Sequence, residues 1–205
     1  MPTRCSRSVP DHLLLVIADA SVMINLNATG CAAAILDALI FRVAVTDVVA
    51  TELDEDRRSG RNDAALLNEL TTTGRVAILP LDDAAAHIFG GLVAGTAAET
   101  LDDGEAASIA VAATRGAIVA IDERKARRIC VRRFPGLRLL STVDLLLHDD
   151  VAGKLGRDAQ SNAVFRALQT ARMRVLPEHV DRVVQLIGMD RARRCPSLPK
   201  TARFF

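Results

Sequence analysis

An α/β fold built on a mostly parallel sheet is predicted by three features of this chain. Short apolar runs alternate with amphipathic helical stretches, the turns between them are short, and half of the residues are hydrophobic. The 205 residues suffice for one α/β core with a small helical addition. The first strand is predicted at 13–18. Arg4 and Arg7 ahead of it imitate the charged start of a secretory signal, but Asp19 ends the apolar run too soon for one. A short apolar run closed by an acid suits a strand buried on both faces.

The pattern then predicts helices across 21–40, a strand at 42–45 and a helix from Asp47 to about Arg58, with Thr46 as its cap. After the polar turn Ser59-Gly60-Arg61-Asn62 come a helix to about Thr73, a strand at 76–79 stopped by Pro80, and a helix from near Asp82 that Gly90 and Gly91 loosen at its end. The next helix spans 101–115, and Gly116 turns it into a strand at 117–121. A helix at 123–133 and a last strand at 137–140 complete the alternation. Beyond Asp150 only helical patterns remain, at 160–174 and 178–188, split by Pro177. We therefore divide the chain into an α/β domain, 1–150, and a helical extension with a basic tail, 151–205. The apolar faces around Val164, Leu168, Val175, Val183, Val184 and Leu186 are expected to pack on the chain's own sheet. The tail carries Arg191, Arg193, Arg194, Lys200 and Arg203 with no acid among them, and is expected to be mobile or partner-bound.

Charged residues make up 25% of the chain and the net charge is only +1, so no global basic field marks a nucleic-acid binder and any such surface must be local. Cys5, Cys31, Cys130 and Cys195 form no C-x-x-C pair, and His12, His87, His148 and His179 are as scattered. This argues against zinc and disulfides. Free thiols suit a reducing interior, and no apolar run is long enough for a membrane helix, so the cytoplasm is the expected location.

The chemistry rests on acids. Asp19 and Asp122 each end a predicted strand, where ligands of open α/β sheets bind; either could equally be a helix cap. Glu52 shares a helical face with Val48, Val49 and Leu53, which marks it as inward-facing. Glu105 lies on one face with Ile109 and Ala112, although Asp102-Asp103-Gly104-Glu105 also fits a capping box. Ser21 and Asn25 follow Asp19 where a helix starts, a place where polar residues are ordinary. A pocket lined by acids needs nearby cations to offset its charge. Arg124, Lys125, Arg127, Arg128, Arg132 and Arg133 offer one wall and Arg57, Arg58 and Arg61 another, with a plain solvated surface as the alternative. With no Trp, no Tyr and six Phe, base stacking has few platforms.

Four stretches resemble the motifs of the PIN domains, a family of metal-dependent ribonucleases that includes many toxins of bacterial toxin–antitoxin pairs. They are I-A-D-A-S-V-M-I-N-L from Ile17, V-V-A-T-E-L from Val48, G-E-A-A-S-I-A-V-A from Gly104 and A-I-D-E-R-K-A-R from Ala120. The resemblance covers about 13–150. It implies a three-layer α/β/α domain in which Asp19, Glu52, Glu105 and Asp122 hold Mg²⁺ or Mn²⁺, Ser21 and Asn25 fix the orientation of these acids, and RNA is cut to leave a 5′-phosphate and a 3′-hydroxyl. It further implies an antitoxin partner and self-pairing as a homodimer. Ala120 stands where many toxin members carry Thr, and Glu105 where many carry Asp. The wording is closer to an uncharacterised prokaryotic branch, for which a catalytically weak RNA-binding or regulatory module is the alternative. A phosphatase is disfavoured, because Asp19 is followed by Ala20 and Ser21 rather than by a D-x-D motif.

Overall fold

The computed structural model describes residues 14–56 and 62–203. Five strands, β1 (Leu15–Ala18), β2 (Arg42–Thr46), β3 (Val76–Leu79), β4 (Ile118–Ala120) and β5 (Arg138–Leu140), form one all-parallel sheet in the order β3-β2-β1-β4-β5. Strands buried on both faces need apolar side chains at every position, and Val16, Ile17 and Ala18 of the central β1 have no exposed surface. Alternation of the pleat sends Val16 and Ala18 into one layer and Ile17 into the other.

Helices α1 (Ala20–Ala28), α2 (Ala32–Ala38), α3 (Asp47–Asp56) and α4 (Asp63–Thr72) cover the first face. Helices α5 (Asp83–Val93), α6 (Asp103–Arg115) and α7 (Arg124–Arg133) cover the second. The result is the expected three-layer α/β/α architecture. Thr46 caps α3, its Oγ1 accepting from the Val49 amide at 3.1 Å. Gly116 ends α6 at φ +61°, a left-handed turn that glycine adopts without a steric penalty. Gly90 and Gly91 do not loosen α5 as expected. That helix runs on to Val93 because Leu92 is fully buried and its carbonyl accepts from the Leu101 amide at 2.9 Å.

After β5 the chain is helical: α8 (Thr142–Leu146), α9 (Asp149–Leu155), α10 (Arg157–Thr170), α11 (Val180–Ile187) and α12 (Met189–Ala192). Helix α10 stops short of the expected 174, and the chain leaves it through Arg172 at φ +54°. Val164, Leu168, Val175 and Val183 share one core with Val16 and Ala18 of the sheet, so the boundary drawn at 150 separates no hydrophobic cores. The basic tail is also packed, against expectation. Cys195 and Leu198 are buried, and the Arg191 and Arg194 guanidinium groups lie over the Phe165 ring at 5.2 and 5.3 Å. Phe204 and Phe205 lie outside the described residues. No single helix among the described residues is long and apolar enough to cross a membrane.

Because the extension completes the core, Leu168→Ala should cost about 3 kcal/mol, the usual loss for a buried leucine in a site that collapses only partly. Urea denaturation should show that loss in a single transition, whereas a separate second transition would mean that the extension folds apart from the sheet.

Candidate active site

The strand order reverses between β1 and β4, since the chain leaves β1 toward β2 on one side and β4 toward β5 on the other. Connections that part in this way leave a crevice at the carboxyl ends of the two strands. Asp19 follows β1 directly, and Asp122 stands two residues beyond the end of β4. The Asp19 amide donates to the Ala120 carbonyl at 3.2 Å, which pins the first acid to the strand leading to the second.

Both carboxylates are buried, Asp19 at 2% exposure and Asp122 at 4%, and both are held by hydrogen bonds. Asp19 is the N-cap of α1: its Oδ1 accepts from the Val22 amide at 2.8 Å and from Ser21 Oγ at 2.9 Å. Asp122 is not a cap, because Glu123 takes that place in α7. Its Oδ1 instead accepts from the Thr142 amide at 2.8 Å, and its Oδ2 from Thr142 Oγ1 at 2.6 Å and Asn25 Nδ2 at 2.8 Å. Ser21 thus steadies the first acid and Asn25 the second.

Glu105, half-buried in the first turn of α6, lines one cleft with Asp122, Ser21 and Asn25. The capping box does not form: the Asp102 side chain caps nothing, although the nearby Asp102 amide favours the charged form of Glu105. Glu52 departs from expectation, being exposed rather than inward-facing. Val49 and Leu53 take the buried side of α3, and the Glu52 side chain is turned toward α6, where its carboxylate lies against Gly104. A β-carbon at 104 would collide with that carboxylate, so glycine there lets Glu52 approach the residue before Glu105.

Burial is the largest influence on Asp19, Glu105 and Asp122 alike. It pushes Asp19 from 3.8 up to about 8, against the Val22 hydrogen bond and with help from the charges of Asp122 and Glu105. Glu105 is pushed up to about 7 by burial, then by Asp102 and Glu123, with Lys125 opposing. Asp122 is also raised by burial, opposed by its bonds from Thr142 and Asn25 and by the Arg127 charge. Acids so placed must take up protons or a cation. As they stand, no three His, Cys, Asp or Glu side chains among the described residues converge on one ion position. Two hard carboxylates with water completing the shell nevertheless fit Mg²⁺ or Mn²⁺, which bind through one or two protein oxygens.

Of the expected basic rim, Arg57, Arg58 and Arg61 lie outside the described residues. Arg124 and Arg128 are exposed on α7 and Lys125 is half-exposed. Arg127 is not a rim residue: its guanidinium donates to the Ile121 carbonyl at 3.0 Å and the Leu140 carbonyl at 2.8 Å, tying the ends of β4 and β5 beneath Asp122. Arg133 donates to the Gly91 carbonyl at 2.8 Å and lies beside Phe134. Sequence reasoning missed Thr142, Glu123, Arg172 and Arg174. Thr142 had a signal, since Ser141-Thr142-Val143-Asp144 is a capping box directly after the last strand. Arg172 and Arg174 had none, because the turn that brings them to the cleft carries no glycine.

An acid with a raised pKa binds more protons folded than unfolded, so its ionisation destabilises the fold as pH rises from about 4 toward 8. In EDTA, Asp19→Asn keeps the cap and removes this penalty. It should raise stability by about 1–3 kcal/mol at pH 8. The gain should vanish near pH 4, as read by thermal melts across that range; a gain independent of pH would refute the burial of the charge.

A family model described as a PIN domain, DUF3368, matches residues 15–189. Among curated proteins none matches the chain. PIN domains are generally nucleases, and the matched span includes the sheet, the acids at its switch point and most of the C-terminal helices. The chain belongs to the PIN-domain family.

Proposed function

We propose that this PIN domain is a metal-dependent endoribonuclease and the toxin of a toxin–antitoxin pair. The observation that carries the reading is the pair of buried carboxylates, Asp19 and Asp122, at neighbouring strand ends, with Glu105 lining one cleft with Asp122 and its charge acting on Asp19. Asp19 and Asp122 would hold the ion, with Glu105 and Glu52 completing its surroundings directly or through water. Bound Mg²⁺ or Mn²⁺ supplies a polarised water and a counter-charge for the phosphate. Ser21, Asn25 and Thr142 keep the two aspartates in place. Glu105, held near neutrality, takes a proton from the attacking water. As the new P–O bond forms, the bond from phosphorus to the 3′-oxygen breaks and that oxygen takes a proton from solvent, leaving a 5′-phosphate and a 3′-hydroxyl. The cytoplasm, an antitoxin partner and a homodimer complete this proposal.

A second reading, an RNA-binding module with feeble cleavage, draws on the exposure of Glu52 and on the lack of three convergent ligands among the described residues. Incubating a mixed RNA pool with Mn²⁺ separates the two. Asp19→Asn and Asp122→Asn should each cut cleavage about 10²-fold or more at unchanged folding, and EDTA should abolish it. Equal cleavage by all three proteins would sink the site assignment, and RNA retention without turnover would favour the module. Growth arrest on expression of the wild type, relieved by Asp19→Asn, is the outcome expected of a toxin.

A further inference from the structure

One wall of the acidic cleft comes from the C-terminal extension. The cleft, ≈ 270 Å³, has Ser21, Glu105, Asp122 and Glu123 on the core side and the segment Ala171 to Arg174 on the other. That segment is a forced turn. Arg172, at φ +54°, is the only non-glycine residue with positive φ among those described, and it stands where helix ends ordinarily carry glycine. Met173 anchors the turn: its side chain is 1% exposed, and its amide donates at 3.2 Å to the Ala167 carbonyl that closes α10. The anchor leaves an exposed arginine on either side of it, both lining the cleft.

The two arginines are differently engaged. Arg174 pairs with Glu123 across the cleft, but its side chain is 62% exposed, and so open an ion pair contributes little and exchanges readily. Arg172 has no hydrogen-bond or ion-pair partner among the described residues. It also lines a second groove, ≈ 510 Å³, together with Asn27, Asn62 and Asp63, so it stands where cleft and groove meet. A left-handed arginine with no partner among the described residues stabilises nothing visible in their packing; its backbone strain sets a cation beside a row of acids.

Resting on the RNA-directed reading of the site, we propose that Arg172 and Arg174 are its phosphate clamp. They bind successive phosphates of a single-stranded RNA that runs from the acidic cleft over Arg172 into the groove beside Asn27 and Asn62. Arg174 exchanges Glu123 for the incoming phosphate. Guanidinium groups suit this role because they hold phosphate oxygens with two parallel hydrogen bonds, and single strands are the form of RNA that enters a narrow cleft.

The test uses the full chain carrying Asp19→Asn, so that bound RNA survives, and the anisotropy of a labelled single-stranded RNA of about 12 nucleotides with Mg²⁺. Arg172→Ala and Arg174→Ala should each weaken binding about tenfold at low salt. Each should also flatten the slope of log affinity against log salt by about 0.7, the amount that one neutralised phosphate contributes on a single strand. Arg172→Gly should lose the same affinity while its melting temperature does not fall, since glycine relieves the strain. Glu123→Gln should tighten binding in the protein that keeps Arg174 and have no effect alongside Arg174→Ala. If the parent binds RNA and both arginine variants bind as well as it does, the clamp is wrong and the RNA reading stands. The clamp also fails if Arg172→Gly melts lower, for the arginine would then be structural. If the wild type cleaves no RNA and the parent binds none, the RNA reading falls and takes the clamp with it.

Discussion

Asp19 and Asp122 lie out of water where the sheet's connections part, and the surrounding structure compensates for their desolvation. Burying an ionised carboxylate costs several kcal/mol unless hydrogen bonds and counter-charge replace its hydration. The Val22 amide at the positive end of α1 and the Ser21 hydroxyl serve Asp19, while Thr142 and Asn25 serve Asp122. Arg127 ties the carbonyl ends of β4 and β5 beneath Asp122. These groups come from three separate parts of the chain, α1, α7 and α8, so the site exists only once the sheet has closed in its native order.

The compensation is incomplete, as the raised pKa values of Asp19, Glu105 and Asp122 show. A fold optimised for stability alone would carry amides or apolar residues at these positions. Acids that disfavour their own charge suit the cation site proposed for this cleft, because a bound cation would supply the positive charge that the protein withholds.

The C-terminal helices belong to this arrangement. Their apolar faces fill the same layer as α1 and α2, and the turn after α10 lines the cleft together with Glu105. Stability and access to the site are therefore coupled: the residues that bury Met173 and Leu168 also set where Arg172 and Arg174 stand. The family match through residue 189 spans both parts.

The alternation of strands and helices was legible because its signals are local. Apolar runs such as Leu15–Ala18, the acids that end them and the glycine at 116 each act within a few residues. Asp19 and Asp122 were legible for the same reason, since a carboxylate at a strand end is placed by the strand itself. Glu52 was misjudged because helical periodicity gives a residue's angle on α3 but not which neighbour, core or α6, fills that angle. Thr142, Arg127 and the two cleft arginines depend on contacts between segments far apart in the chain, and the turn at Arg172 is held by burial of Met173 rather than by any residue preference of its own. The sequence by itself determined the layers and the two central acids. Only the tertiary structure decided what surrounds those acids, because hydrogen-bond partners and cleft walls arise from packing across the sheet, which local pattern does not encode.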